Sequence, residues 1–405
     1  MATLRPTMAQ VMDAILVGGG AAGFFAAIEL KRRRPEWRVV LLEAAARPLA
    51  KVRISGGGRC NVTHACFEVG QLVKHYPRGE KQLRALFSRF GPSETMAWFE
   101  ERGVALKVEP DGRVFPVSDS SQSIIDCLLG EAQKLGVEVR LSTKVLAIEP
   151  GWTVRLQDTS LSAPRLLLAT GGAPTVYPWL AELGHRMIPP CPSLFTFTVD
   201  DPRLRDLPGI AVDRVRAVLE TKPALRQEGA LLITHWGLSG PVTLRLSAWG
   251  ARMLHELNYQ AWVRVDWLPD VSQEEVRETF QRLRGSHKKV AGDCPWGLPR
   301  RLWRNLVEED LAWSRASEKF LNRLVETLKN CRLQVLAKGV FKEEFVVAGG
   351  VPLGEVDLKT LESKLCPGLF LAGELLDVDG VTGGFNFQNA WASGYLAGAA
   401  MAERP

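Results

Sequence analysis

Residues Asp13–Glu43 read DAILVGGGAAGFFAAIELKRRRPEWRVVLLE, and this run decides the fold. Asp13–Val17 is a short apolar stretch with the texture of a buried strand. Gly18, Gly20 and Gly23 follow in G-x-G-x-x-G spacing, with Ala22 between them, and Ala21–Arg34 has helical composition. A second apolar run from Arg38 to Leu42 ends on Glu43, twenty positions beyond Gly23. Gly18 permits a tight turn, Gly20 lets a pyrophosphate reach the backbone, and Gly23 lets helix and strand pack closely. The helix start offers free N–H groups and the positive end of the macrodipole to phosphate. The carboxylate of Glu43 accepts both hydroxyls of an adenosine ribose and repels a 2′-phosphate, which argues against NADP in this unit. The tract Lys31–Arg34 lies at the negative end of the same helix, which accounts for it locally.

With 405 residues the chain exceeds one ordinary core. Hydrophobic residues make up 46% and charged residues 24%, a globular balance, and no apolar run approaches the ~18 residues of a membrane span. The first twelve residues lack an apolar signal core, so a cytoplasmic location is expected. Seven cysteines are scattered without C-x-x-C pairs, which reads as reduced thiols and no metal site. The net charge is +6, and Val271–Arg332 holds 13 Lys/Arg against 9 Asp/Glu, so most of the excess sits there. Within it Pro299–Arg304 mixes cations with Trp303; this is either a solvated helix face or a phosphate-facing patch.

Helices are expected over about Lys81–Arg102, Asp119–Leu135 and Pro241–Leu257. Strands are expected over Val137–Leu141, Val145–Ile148, Arg165–Ala169, Phe195–Val199, Val212–Glu220, Ala230–Thr234, Trp262–Trp267, Phe345–Val351 and Leu369–Ala372. Val145 and the turn Thr170-Gly171-Gly172 count among the candidate cofactor contacts. After Cys191 the texture changes, first to short strands and then to basic helices. A nucleotide domain over residues 1–190 is therefore taken to be interrupted by a β unit (191–270) and a helical unit (271–335), and completed by 336–405.

Three further segments point to a flavin. Ser55-Gly56-Gly57-Gly58-Arg59-Cys60-Asn61 is a loop able to press backbone against a flat ring and to hold a diphosphate. Gly373-Glu374 closes an apolar strand at an acid suited to the ribityl chain. Gly383-Gly384-Phe385-Asn386 opens the small-residue helix expected over Asn386–Ala402, whose N–H groups would stabilise negative charge on a reduced flavin. A fourth segment, Thr234–Pro241, carries His235 at the approach to a helix.

Together these segments resemble the BaiN/RdsA-like family of FAD-dependent flavoproteins. The likeness rests on Gly18–Gly23 with Glu43, Ser55–Asn61, Thr234–Pro241, Ala348–Val351, Gly373-Glu374 and Asp377–Gln388, and spans Asp13 to Gly398. It implies an α/β fold: a discontinuous Rossmann-type FAD domain with an inserted β-barrel-like unit and a helical unit, and non-covalent FAD. It also implies reduction of carbon–carbon double bonds, such as uracil in ribosomal RNA or enone-type bile-acid intermediates, while other relatives look like amine oxidases. His64, where an Asn often follows the Thr, and the Trp-rich helical insert depart from that pattern.

The first expectation is hydride transfer from flavin N5 to an activated C=C bond of an rRNA uracil or a small enone. Cys60 and His235 are the candidate acids, and Arg59 the stabiliser of developing enolate charge. The alternatives are an FAD oxidase of a small amine or amino-ketone using O2, and a flavin-bound RNA-binding factor without turnover. No second dinucleotide unit is present, so NAD(P)H as donor would have to bind transiently. The basic helical insert would supply nucleic-acid affinity, and no membrane partner is expected.

Overall fold

The structure, a computed structural model, describes residues 9–172, 174–339 and 346–404. It divides into two compact units, Met1–Pro190 with Val346–Pro405, and Cys191–Phe345.

The first unit is built on the opening run. β1 (Ala14–Val17) is buried along its whole length, as a strand paired on both sides must be. It leads through Gly18–Gly20 into α1 (Ala21–Arg33), then β2 (Val39–Leu42) and α2 (Ala50–Gly58). Further on come α3 (Ser121–Lys134), β3 (Glu138–Arg140), β4 (Leu166–Leu168) and α4 (Tyr177–Glu182). After the second unit the chain returns with β5 (Leu369–Leu371) and closes with α5 (Phe385–Glu403). The strands lie in the order β5-β4-β1-β2-β3, all parallel, with Leu166, Leu167 and Leu168 of β4 opposite Ile15, Leu16 and Val17 of β1. The hairpin Val356–Asp357 and Glu362–Ser363 adds an antiparallel edge next to β5. Chain order runs outward on one side of β1 and then crosses to the other. The switch point between β1 and β4 is where open α/β sheets bind ligands, beyond the carboxyl ends of the strands.

α5 is held against α1 backbone to backbone. A Cβ on Gly394 or Gly398 would fall 2.4 Å from the carbonyl oxygen of Ala22 or Ala26. Around this seam Phe25 of α1 packs on Trp98, Trp391 and Phe99 at centroid distances of 4.3, 4.8 and 5.8 Å. At the far end of α1, Lys31 donates to the carbonyls of Pro35 (2.6 Å) and Trp37 (2.9 Å) and so fastens the loop that follows, while Arg32 and Arg33 pair with Glu29 in the last turns of the helix.

His185, wholly buried, bridges Glu355 Oε2 (2.8 Å) and Ser363 Oγ (2.9 Å). The order of groups is that of a hydrolytic triad. The Ser363 oxygen, however, already accepts from the N–H groups of Leu365 (3.1 Å) and Cys366 (2.9 Å) and is buried, so the trio is a clasp between the segment after α4 and the edge hairpin.

Several sequence expectations change. The helix expected over Lys81–Arg102 is two, Glu80–Phe87 and Pro92–Glu100, because Pro92 starts a new helix and Glu94 caps the Gly91 N–H at 2.8 Å. Pro241–Leu257 likewise breaks at Gly250 into Pro241–Trp249 and Ala251–Glu256. The strand placed at Val145 begins at Ala147. Phe345 lies outside the described residues.

The boundaries at 270 and 336 also move. In the second unit seven strands form one antiparallel sheet, in the order Cys331–Val335, Ala261–Asp266, Ala211–Leu219, Leu225–Thr234, Gly237–Ser239, Phe197–Thr198 and Ala337–Lys338. The helices Gln273–Leu283, Arg300–Val307 and Glu318–Lys329 bury Phe280, Trp303 and Leu324 in the same core as Val263 and Trp267. The β and helical inserts are thus one unit, since neither apolar face is covered without the other. The last pair of strands, Phe197–Thr198 with Ala337–Lys338, keeps the chain in this unit beyond 336.

Candidate flavin-binding and active site

Three turns meet at the carboxyl ends of β1, β4 and β5. In the first, Gly18 has φ +112°, and a Cβ there would lie 2.3 Å from Ala169 O at the end of β4. A Cβ on Gly23 would lie 1.9 Å from Gly18 O, so helix and strand touch as the spacing predicts. A Cβ on Gly20 would meet nothing within 4 Å. The Gly20 N-cap carries no capping side chain, which leaves the first N–H groups of α1 facing open space. Glu43 accepts from Gly19 N and Ala45 N, both at 2.7 Å, and a Cβ on Gly19 would sit 2.9 Å from that carboxylate. Gly19 is therefore as necessary as the three glycines of the motif. Each carboxylate oxygen keeps a further lone pair for a ribose hydroxyl.

The second turn is Thr170-Gly171-Gly172, where the Thr170 hydroxyl is buried without a hydrogen-bond partner. The third is Gly373-Glu374. Gly373 N donates to Ser393 Oγ at 2.9 Å, a Cβ on Gly373 would be 3.2 Å from the Ala22 Cβ, and one on Gly171 would be 3.7 Å from Glu374 Oε2. Lys51 of α2 pairs with Glu374, a contact no local motif announces. Val145 is buried nearby in sequence to Thr143, whose N–H donates to Glu43 O at 2.8 Å.

The segment Ser55–His64 clamps the start of α5. Helical backbone from Ala50 gives way at Ser55 to Gly56, Gly57 and Gly58, with φ of +57°, +70° and +85°. This region is thus a helix end as well as the expected loop. A Cβ on Gly56 would meet the Phe115 ring at 2.9 Å, whereas Gly57 and Gly58 face open space. Asn61 is buried; its amide accepts from Gly384 N and donates to Thr63 O, each at 3.0 Å. A Cβ on Gly384 would stand 2.5 Å from Thr63 O. Thr63 Oγ1 donates to Gln388 at 2.6 Å, Tyr76 donates to Phe385 O at 2.7 Å, and the Asn386 side chain spans the N–H and C=O of Gly380 at 2.8 and 2.9 Å. Asn386 is thereby fixed in place, with one side-chain N–H, one Oδ1 lone pair and its backbone N–H left over. Phe385 stacks on His75 (4.3 Å) and His64 (4.8 Å).

Each candidate catalytic side chain has its own surroundings. Cys60 has no exposed surface, and burial pushes its thiol up to about 12, so it behaves as a packing residue held at φ +61°. Arg59 lies 3.9 Å over the Phe115 ring and pairs with Glu109 (2.6 Å) and Asp119 (3.4 Å), contacts that hold its charge in place and raise its basicity. His235 is not at a helix start. It is exposed at the tip of the tight turn between Leu225–Thr234 and Gly237–Ser239 in the second unit. Among the described residues His64 meets no carboxylate; its Nε2 lies 3.1 Å from Asp111 O, and desolvation lowers its pKa.

Residues 12–400 match the HI0933-like protein Rossmann domain. The chain belongs to this family. A 3-dehydro-bile acid delta(4,6)-reductase of Clostridium scindens is 31% identical over 96% of this chain and 99% of its own length. A ribosomal RNA dihydrouridine synthase of Escherichia coli is 31% identical over 95% of this chain and 96% of its own. Among solved structures, the fold is shared with a flavocytochrome c3 fumarate reductase: TM-score 0.52, 19% identity, covering 98% of this chain and 79% of that one. It is also shared with a 3-ketosteroid-delta4-(5alpha)-dehydrogenase from Rhodococcus jostii, with TM-score 0.51, 14% identity and coverage of 99% and 100%.

As a member of the HI0933-like Rossmann family the chain is an FAD-dependent oxidoreductase. Its residues fit that cofactor: the open face of Gly20, Gly57 and Gly58, the uncapped starts of α1 and α5, and the orphaned Thr170 hydroxyl all await a ligand rich in acceptors. Among the described residues no cluster of His, Cys, Asp or Glu is arranged to hold a metal ion, and no helix is long and apolar enough to cross a membrane.

Proposed function

We propose that the chain saturates a carbon–carbon double bond conjugated to a carbonyl, with a uracil base of ribosomal RNA as substrate. The observation that carries the reaction is the end-to-end likeness to two relatives whose names both describe such a saturation, one by a delta(4,6)-reductase and one by a dihydrouridine product. FAD, when bound, supplies the hydride, with NAD(P)H proposed as its transient donor. The protein's share is positional. The Gly18–Gly20 turn and the α1 N–H groups hold the diphosphate, Glu43 the adenosine ribose and Glu374 the ribityl chain. The N–H groups opening α5 face the negative edge of the reduced ring.

The RNA reading is supported by an arginine face on the second unit. Arg203, Arg205, Arg301 and Arg304 line an open groove with Asp206 and Glu308, and of the four Arg203 and Arg205 are paired with Asp201 and Asp200. Arg300, Arg301 and Arg304 are exposed on Arg300–Val307, whose first turn holds no acid and whose N-cap, Pro299, contributes no side chain. Cations at a helix N-terminus oppose the macrodipole, by about 0.3–1 kcal/mol each, a cost that bound phosphates would reverse. A free enone is the second reading, favoured by the equal identity to the bile-acid reductase. Seven free cysteines support a reducing, cytoplasmic setting. Two measurements test the proposal: the rRNA dihydrouridine map with and without the gene, and reoxidation of the reduced protein by rRNA fragments or by a 4-en-3-one steroid. An unchanged map with steroid-driven reoxidation selects the small molecule, and failure of both acceptors refutes the reaction.

A further inference from the structure

Saturating such a bond needs a hydride at the carbon β to the carbonyl and a proton at the α carbon. With Cys60 enclosed and Arg59 paired with Glu109, the first unit has no assigned source for that proton. We infer that Tyr177 is the acid that delivers it, an inference that rests on the double-bond reading above.

Tyr177 opens α4, immediately beyond the Thr170–Gly172 turn at the carboxyl end of β4. Its hydroxyl is buried and has no hydrogen-bond partner among the described residues. A buried phenol usually finds one, because leaving the O–H unpaired costs about 1–3 kcal/mol. The Thr170 hydroxyl, in the same turn, is orphaned in the same way. Both hydroxyls follow β4 in sequence and lack a partner among the described residues, so both are available to a ligand. Tyr177 is also within electrostatic reach of Asp377, which lies between Glu374 and the Gly383-Gly384 entry to α5. Asp377 belongs to the run of chain proposed above to face the ring rather than the adenosine.

Four other candidate acids of this unit are committed elsewhere. Cys60 is enclosed, Glu374 is paired with Lys51, Glu43 is held by two N–H groups, and His64 is stacked on Phe385 and turned to Asp111. Burial, and then the Asp377 carboxylate, hold the Tyr177 phenol above its ordinary range, so it is fully loaded with its proton at neutral pH. In the step, hydride from reduced flavin adds to the β carbon and the π pair moves to the α carbon and carbonyl oxygen. The Tyr177 O–H bond then breaks, its proton goes to the α carbon, and the phenolate is reprotonated by solvent.

The test uses FAD-loaded full-length protein and Tyr177→Phe. The variant should keep its FAD content, its melting temperature and its rate of flavin reduction by dithionite. Reoxidation by the acceptor that the parent uses should slow by about 10²–10⁴-fold, with KM little changed. A readout independent of turnover is an ultraviolet titration of tyrosine on oxidised protein. A uridine nucleotide or 4-en-3-one steroid should shift one late-titrating phenol, and Tyr177→Phe should abolish that shift. If the parent reduces neither acceptor, the double-bond reading falls and Tyr177 with it. If the parent does and Tyr177→Phe matches it, or the ligand shift survives, only the Tyr177 assignment is overturned.

Discussion

Replacing Gln388 with Leu should cost far more than its volume suggests. Gln388 is fully buried in the second turn of α5. Its Oε1 accepts from Thr63 (2.6 Å) and Thr95 (2.9 Å), and its Nε2 donates to Phe90 O (3.2 Å); both threonines are fully buried too. Leu is similar in size but leaves two hydroxyls and a carbonyl without partners. At about 1–3 kcal/mol for each stranded group the sum is about 3–9 kcal/mol. The 3.2 Å bond is the weakest and the side chains can relax, so the lower end, about 3 kcal/mol, is expected, a melting shift of about 6–12 °C for a unit of this size. Guanidinium unfolding followed by flavin fluorescence and circular dichroism measures it. The decisive comparison adds Thr63→Val and Thr95→Val. Removing all partners of a polar network is nearly neutral, so the triple variant should regain much of the loss. A single-variant cost under about 1 kcal/mol, or a triple variant less stable than Gln388→Leu, would refute the accounting.

Gly20→Val should leave the apoprotein within about 0.5 kcal/mol of the parent yet abolish FAD retention, because its side chain enters space that only a ligand uses; Gly23→Ala, with 1.9 Å to Gly18 O, should instead disrupt the fold. The Cys60 thiol is raised from 9.0 to about 12, so the unfolded chain loses that proton first as pH rises; stability should fall by up to about 1.4 kcal/mol per pH unit between roughly pH 9 and 12, and Cys60→Ala should flatten part of that slope in pH-dependent melts. Arg300→Glu with Arg304→Glu should weaken binding to an rRNA fragment and lower the salt slope by about two, read by filter binding at two ionic strengths, while turnover of a small enone stays unchanged.

The opening unit was legible because most of its chemistry is local: Gly23 answers to Gly18 and Glu43 to the Gly19 N–H within thirty residues, while the approach of Gly18 to Ala169 only reinforces the turn. Gly19 escaped notice because its constraint comes from the Glu43 side chain, not from the motif. Lys51, Gln388 and Tyr177 were invisible for a related reason. The first two depend on contacts with Glu374 and with Thr63 and Thr95, and the phenol feels the charge of Asp377, all far away in the chain. Cys60 and Arg59 drew attention through their neighbours in the glycine-rich run, and only burial and the Glu109 pair show what they do. The division at residue 270 failed because a strand pattern and a helix pattern look like two units until Trp267 and Trp303 are seen in one core.

The seam of Gly394 and Gly398 on Ala22 and Ala26 sets an order of events during synthesis. Helix α1 is translated early, but its partner surface emerges only with the final helix. The intervening Cys191–Phe345 unit has a complete core of its own and is free to collapse while the ribosome is still at work. The nascent first half must therefore wait, its apolar flank uncovered, until α5 emerges, and coenzyme capture waits with it.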